Sequence, residues 1–131
     1  MPKSQYKAAD KNIESLYKSA VVNCGSFADN AKDICMAAAN GLKEIEKKEL
    51  ISRYKPSMKA DFDVSIAKAE ANYAVEEEKC ADKADNIKGI CVSEAKAILA
   101  QAKSDASSQL ERSKATIIAD DKHPDARKKE K

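Results

Sequence analysis

The chain is poor in aromatic residues, which make up 5% of its 131 positions, and it has no tryptophan. Aromatic rings supply much of the buried area in ordinary cores. A chain without them is expected to have a thin core, helped by staples or by self-association. Glycine and proline are scarce too, with 3 of each. So few breakers among abundant Ala, Lys and Glu excludes a turn-rich fold and points to long helices. There is one histidine, His123, near the C-terminus. A Ser-His-Asp or Cys-His site would need it ordered beside a nucleophile, and it reads instead as a solvated side chain. No glycine-rich phosphate loop occurs. No run of about 18 apolar residues occurs either, so no segment is expected to span a membrane. Charge of one sign is also missing: the net charge is +2 with both signs interleaved, whereas a nucleic-acid binder would present one basic face. No small-molecule substrate or cofactor pattern is present, and no catalytic set.

What the chain does have is a pattern in its cysteines. They stand at Cys24, Cys35, Cys80 and Cys91, and the second pair lies 56 residues after the first (24 to 80, 35 to 91). At that offset Cys24-Gly-Ser-Phe-Ala-Asp-Asn-Ala-Lys-Asp-Ile-Cys35 lies over Cys80-Ala-Asp-Lys-Ala-Asp-Asn-Ile-Lys-Gly-Ile-Cys91. Seven of the twelve positions match: both cysteines, Ala28/Ala84, Asp29/Asp85, Asn30/Asn86, Lys32/Lys88 and Ile34/Ile90. Upstream, Tyr17 falls on Tyr73 and Tyr6 on Phe62. The chain is therefore read as a duplication.

Each unit reads as a helix end, a loop and a helix start. Gly25 holds a C-cap position, and Asp29-Asn30 and Asp85-Asn86 are N-cap types. Two antiparallel helices joined this way bring the paired cysteines within disulfide reach, so the expected pairing is Cys24 with Cys35 and Cys80 with Cys91. The rival is crosswise, Cys24 with Cys91 and Cys35 with Cys80. Zinc or copper binding and redox catalysis both favour tighter CxxC spacings, which the chain lacks. Two structural disulfides imply an oxidising compartment.

The motif Cys-x3-Ala-Asp-Asn-x-Lys-x-Ile-Cys, with Tyr73-Ala-Val-Glu-Glu-Glu-Lys-Cys80 before it and Glu94-Ala-Lys96 after it, resembles a family of uncharacterised bacterial envelope proteins. These carry two or three such units behind a signal peptide. Tyr54-Lys-Pro-Ser57 and Asp125-Ala-Arg127 look like the family's inter-repeat segments, and the resemblance covers about residues 5 to 127. It implies a periplasmic, helical, non-enzymatic protein and no known activity. The chain departs from the pattern in having no third cysteine pair after Asp125-Ala-Arg127, which leaves open whether it stops at a natural end. No signal peptide is visible, so export implies one already removed.

Apolar residues at steps of three and four place four helices. The first spans about Ser4 to Cys24, with Tyr6, Ala9, Ile13, Leu16/Tyr17 and Ala20/Val21 inward. The second spans about Ala31 to Arg53, with Ile34, Ala38, Leu42, Ile45 and Leu50 inward. Pro56 marks a boundary. The third spans about Ser57 to Cys80, with Phe62, Ile66, Ala69 and Tyr73 inward. The fourth starts near Ile87, with Ile90/Cys91, Ala95, Ile98/Leu99 and Ala102 inward. The expected fold is all-α: two disulfide-stapled antiparallel hairpins, residues 1–55 and 56–119, sharing one core as an up-down-up-down four-helix bundle, with a disordered polar tail at 120–131. The alternative is an elongated form in which helices 2 and 3 make one kinked rod.

The repeats differ at their tips. Val21-Val22 aligns with Glu77-Glu78, and Phe27 with Lys83. Val21, Val22 and Phe27 are thus the candidate interaction residues, for a protein partner or for self-association, against a reading in which Phe27 folds back onto the valines. Glu76-Glu77-Glu78 is a charge run that reads as a solvated face before it reads as a cation site. The expected function is a periplasmic structural or interaction protein, an envelope-stress or chaperone-like helper. The alternative is metal sequestration by cysteines or surface carboxylates.

Overall fold

The computed structural model describes residues 1–122, with side chains through residue 117. It is all-helical, with α1 (Lys3–Cys24), α2 (Asp29–Tyr54), α3 (Met58–Cys80) and α4 (Asp85–Lys122). Both disulfides are local, Cys24–Cys35 and Cys80–Cys91, with Cα–Cα separations of 5.5 and 5.6 Å. Each joins the last residue of one helix to an early turn of the next. The crosswise pairing is excluded. The kinked-rod alternative is excluded as well, because α2 and α3 lie side by side and antiparallel. Three contacts along them fix that direction: Asn30 with Glu78, Gly41 with Ala71, and Ser52 with Asp61.

Among the described residues, close backbone approach joins only consecutive helices, α1 with α2, α2 with α3 and α3 with α4. The four helices thus form an up-down-up-down bundle that is open rather than closed, since α1 and α4 do not meet. Helix α2 is gripped on both sides. Toward α1, Asn40 accepts the Tyr17 hydroxyl at 2.6 Å, Lys47 pairs with Asp10 and Glu14, and Tyr54 stacks on Tyr6 at 4.5 Å. Toward α3 it presents Gly41, which is buried against Ala71.

The core is correspondingly thin. Among the described residues, the buried apolar side chains are Ile13, Leu50, Cys24, Cys80 and six alanines, including Ala39, Ala67 and Ala95. Alanine contributes little transfer energy per residue, but it lets helix backbones come close and costs no rotamer entropy. Several residues expected inside are outside. Leu16, Leu42, Ile90 and Ile98 are all more than half exposed, because an open row covers only two flanks of each inner helix and one flank of α1 and α4. Their stripe partners Ile13, Cys91, Ala95 and Leu99 face the neighbouring helix instead.

The caps also differ from expectation. Gly25 does sit at the C-cap of α1, but in right-handed conformation (φ −62°, ψ −18°), and Ala81 takes the same place and nearly the same angles at the end of α3. Glycine's freedom is not used there. The N-cap of α2 is Ala28, not an Asx side chain. Asp29 takes φ 55°, a left-handed backbone that Asp tolerates better than most residues. Asn30, freed from capping, reaches across to α3. Helix α3 does start with a side-chain cap, the Ser57 hydroxyl accepting from the Ala60 N–H at 2.9 Å. Helix α4 continues to Lys122, three residues into the segment expected to be a polar tail. Residues 123–131, with His123, lie outside the described residues.

Two substitutions test this packing. A Cβ on Gly41 would lie 2.7 Å from the Ala71 Cβ and 3.3 Å from its Cα, neither of which can swing aside. Gly41→Ala is therefore expected to destabilise by about 1–3 kcal/mol through overpacking, despite a helix-propensity gain of about 1 kcal/mol. Gly89→Ala, where a Cβ meets nothing within 4 Å, should stabilise by about 0.5–1 kcal/mol. Urea unfolding of the two variants checks both signs, and equal effects would contradict the tight α2/α3 contact.

The α1/α2 ion pair predicts a pH dependence. The Lys47 ammonium, hydrogen-bonded to Glu14, holds that carboxyl below its ordinary value of 4.5, and Glu14 in turn raises Lys47. A carboxylate depressed in the folded state contributes stability above its ordinary range and loses it as pH falls through the folded value; the Lys47 share persists until strongly alkaline pH. Between about pH 7 and about pH 3 the melting temperature of Glu14→Gln should therefore fall less than that of the unaltered protein. Parallel falls would show that the pair contributes nothing.

Candidate interaction surface

Alternating helix directions put both hairpin tips at the same end of the molecule. The apolar and charged tips therefore lie side by side. The Asn30 amide ties them, donating to the Glu78 carbonyl at 2.8 Å. Within the first tip, Val22 is 76% exposed and Phe27 51%, while Val21 is half-buried. The Phe27 side chain is thus not fully folded away. Its N–H closes the turn by donating to the Cys24 carbonyl, and the Lys83 N–H makes the same bond to Cys80 in the second tip.

A concavity of about 830 Å³ runs along one face of the α2/α3 pair. Its floor is apolar, with Met36, Ala37, Phe62, Ile66 and Ala74. Its rim is acidic, with Asp33, Glu44, Glu70, Glu77 and Glu78. Lys48 and the Lys59–Asp63 pair close the end away from the tips. The groove exists because Gly41, Ala67 and Ala71 bring the helices together without filling the space above the contact. The Tyr73 hydroxyl donates to Glu77 at 2.8 Å, and this bond raises the Tyr73 pKa. Tyr73 and Tyr17, placed inward by the sequence, are both half-buried with hydroxyls engaged at the surface.

The candidate residues divide by chemistry. All four cysteine sulfurs are consumed in disulfides, so none offers a thiolate to a metal. The glutamates of 76–78 do not converge: Glu76 pairs with Lys79, Glu77 accepts from Tyr73, and Glu78 lines the groove. Among the described residues no three carboxylate, cysteine or histidine groups gather as a metal site. No helix among the described residues is long and apolar enough to cross a membrane. No protein-family profile, curated protein or solved structure matches the chain.

Sequence reasoning found the exposed tip and missed the groove. Phe62 and Ile66 stood out as a stripe, but their spacing looked like core. The acidic rim is drawn from positions on two helices that are far apart in the chain.

Reduction offers a direct test of the staples. Each closes a short loop, with a sequence separation of 11, worth roughly 3 kcal/mol in the chain-entropy model. Adding reductant should lower the melting temperature markedly while far-ultraviolet circular dichroism at low temperature keeps its helical form. A melt insensitive to reductant would mean the disulfides do not hold the hairpins.

Proposed function

We propose that this chain is a non-enzymatic, exported interaction protein, a chaperone-like helper that holds basic, amphipathic segments of other proteins in the α2/α3 groove. The observation that carries this reading is the pairing of an apolar floor with an acidic rim in one open concavity. An apolar floor takes up the greasy face of a partly unfolded or helical segment, and the rim selects for lysine and arginine beside it. The exposed tip residues Val22 and Phe27 extend apolar surface at the same end. Export, and with it a periplasmic setting, is supported by the two disulfides, which form and persist in oxidising compartments. The resemblance to repeat-built envelope proteins agrees with that setting.

Fluorescence anisotropy with two labelled peptides tests the reading. A basic amphipathic helix should bind, more weakly as salt rises, and the same helix with its lysines replaced by glutamates should not. Glu44→Lys and Glu70→Lys should each weaken binding of the basic peptide by roughly 3- to 10-fold, the range of a single partly screened charge at an interface. Equal affinity for both peptides, or none for either, would overturn the groove as the binding site.

A further inference from the structure

The charges that line the α2/α3 groove are sorted along its length. At the tip end stand Asp33, Glu77 and Glu78, none of which is in an ion pair among the described residues. Midway, Glu44 and Glu70 flank the floor, and Lys103 of α4 partly offsets Glu70 at 3.9 Å. At the far end the excess of negative charge is gone. Asp63 is paired with Lys59 at 3.1 Å, and Lys48 is a half-buried cation in no ion pair among the described residues. Asp33 and Lys48 lie on one helix, so the change of sign takes place over about 22 Å, at about 1.5 Å per residue.

We infer that the groove is directional: it holds a helical segment of the partner with its N-terminus at the hairpin tips and a carboxylate from its last turn on the Lys48 ammonium. This rests on the groove being the binding site. The free N–H groups at the start of a helix make that end positive, and the free carbonyls make the other end negative. With the N-terminus at the tips, the positive end faces Asp33, Glu77 and Glu78, and the negative end faces Lys48. In the reverse direction each end meets charge of its own sign. Side chains follow the same order. Lysines in the first turns of the segment lie beside the tip carboxylates, whereas a lysine in its last turn would meet Lys48. A span of about 22 Å takes up about four helical turns.

Lys48 is what makes the far end selective rather than merely less acidic. Its side chain is half-buried on the groove, so it is partly withdrawn from water without a partner in return. A carboxylate laid over it supplies a charge-assisted hydrogen bond. An acidic side chain and the terminal carboxylate of a chain offer the same chemistry there. A segment that is basic at its start and acidic at its end opposes its own dipole and is a poor helix in isolation. The groove provides the compensating charge at both ends, so binding draws the segment into a helix. That suits a client that is incompletely folded when captured.

Nuclear magnetic resonance of the oxidised, isotope-labelled protein tests the direction. The probe is an amphipathic peptide of about 15 residues with lysines in its first two turns, one glutamate in its last turn and an amidated end. A nitroxide on its N-terminus should broaden the amide signals of Phe27 to Asn30, and a nitroxide on its C-terminus those of Lys48 and Lys59. Lys48→Gln should weaken binding of this peptide by roughly 3- to 10-fold, or do so for a second peptide with glutamine in place of glutamate and a free terminal carboxylate. Whichever peptide shows the loss identifies the source of the carboxylate. A third peptide, with glutamine and an amidated end, should bind both proteins alike. Peptides that bind but broaden both ends equally or in the opposite order, or that lose nothing with Lys48→Gln, would overturn the direction and leave the groove reading standing. Failure of every peptide to bind would remove both.

Discussion

The close approach of α2 and α3 at Gly41 and Ala71 is the contact on which the rest of the molecule depends. Each hairpin alone is two helices, a short loop and a disulfide, with too little apolar surface to make a core. What turns two hairpins into one structure is the shared flank between them. That flank is built from glycine and alanine, so its attraction comes from backbones packed at short range over many atoms rather than from a few large side chains. The Asn30–Glu78 bond at one end and the Ser52–Asp61 bond at the other bracket the contact and fix its register. Helices α1 and α4 are then fastened to this pair by the disulfides and by polar contacts such as Lys47 with Glu14.

A core of this kind has a consequence for function. A row joined by small residues covers little of each helix, so ridges of larger residues stay at the surface and the space above the central contact remains open. The groove is therefore a by-product of the way the helices are joined. In the proposed reading its acidic edge selects basic partners for that apolar surface. The same logic leaves the outer faces of α1 and α4 uncovered within the molecule.

Much of this was legible in the sequence. Four helices, their boundaries to within a few residues and the local disulfides followed from breaker scarcity, three-four periodicity and the matched cysteine motifs. The burial pattern did not. Hydropathy assigns Leu42, Ile90 and Ile98 to a core because they are large and apolar, and it is silent about Gly41, Ala67 and Ala106. In this fold small residues define much of the interface, and Leu42, Ile90 and Ile98 face outward although Leu50 on the same helix as Leu42 is buried. The N-cap reading failed for a related reason: Asn30 has the chemistry of a cap, but a tertiary acceptor on α3 competes for its side chain. The groove needed α2 and α3 set side by side, which no local pattern encodes.

Native-state amide hydrogen exchange of the oxidised protein is the most direct test of the α2/α3 joint as the centre of stability. The slowest amides should cluster around Gly41 and Ala67–Ala71, with α1 and the far half of α4 opening at lower free energy. If α1 or the far half of α4 is protected as strongly as this joint, or if α2 and α3 exchange first, the stability of the molecule resides elsewhere and the account is wrong.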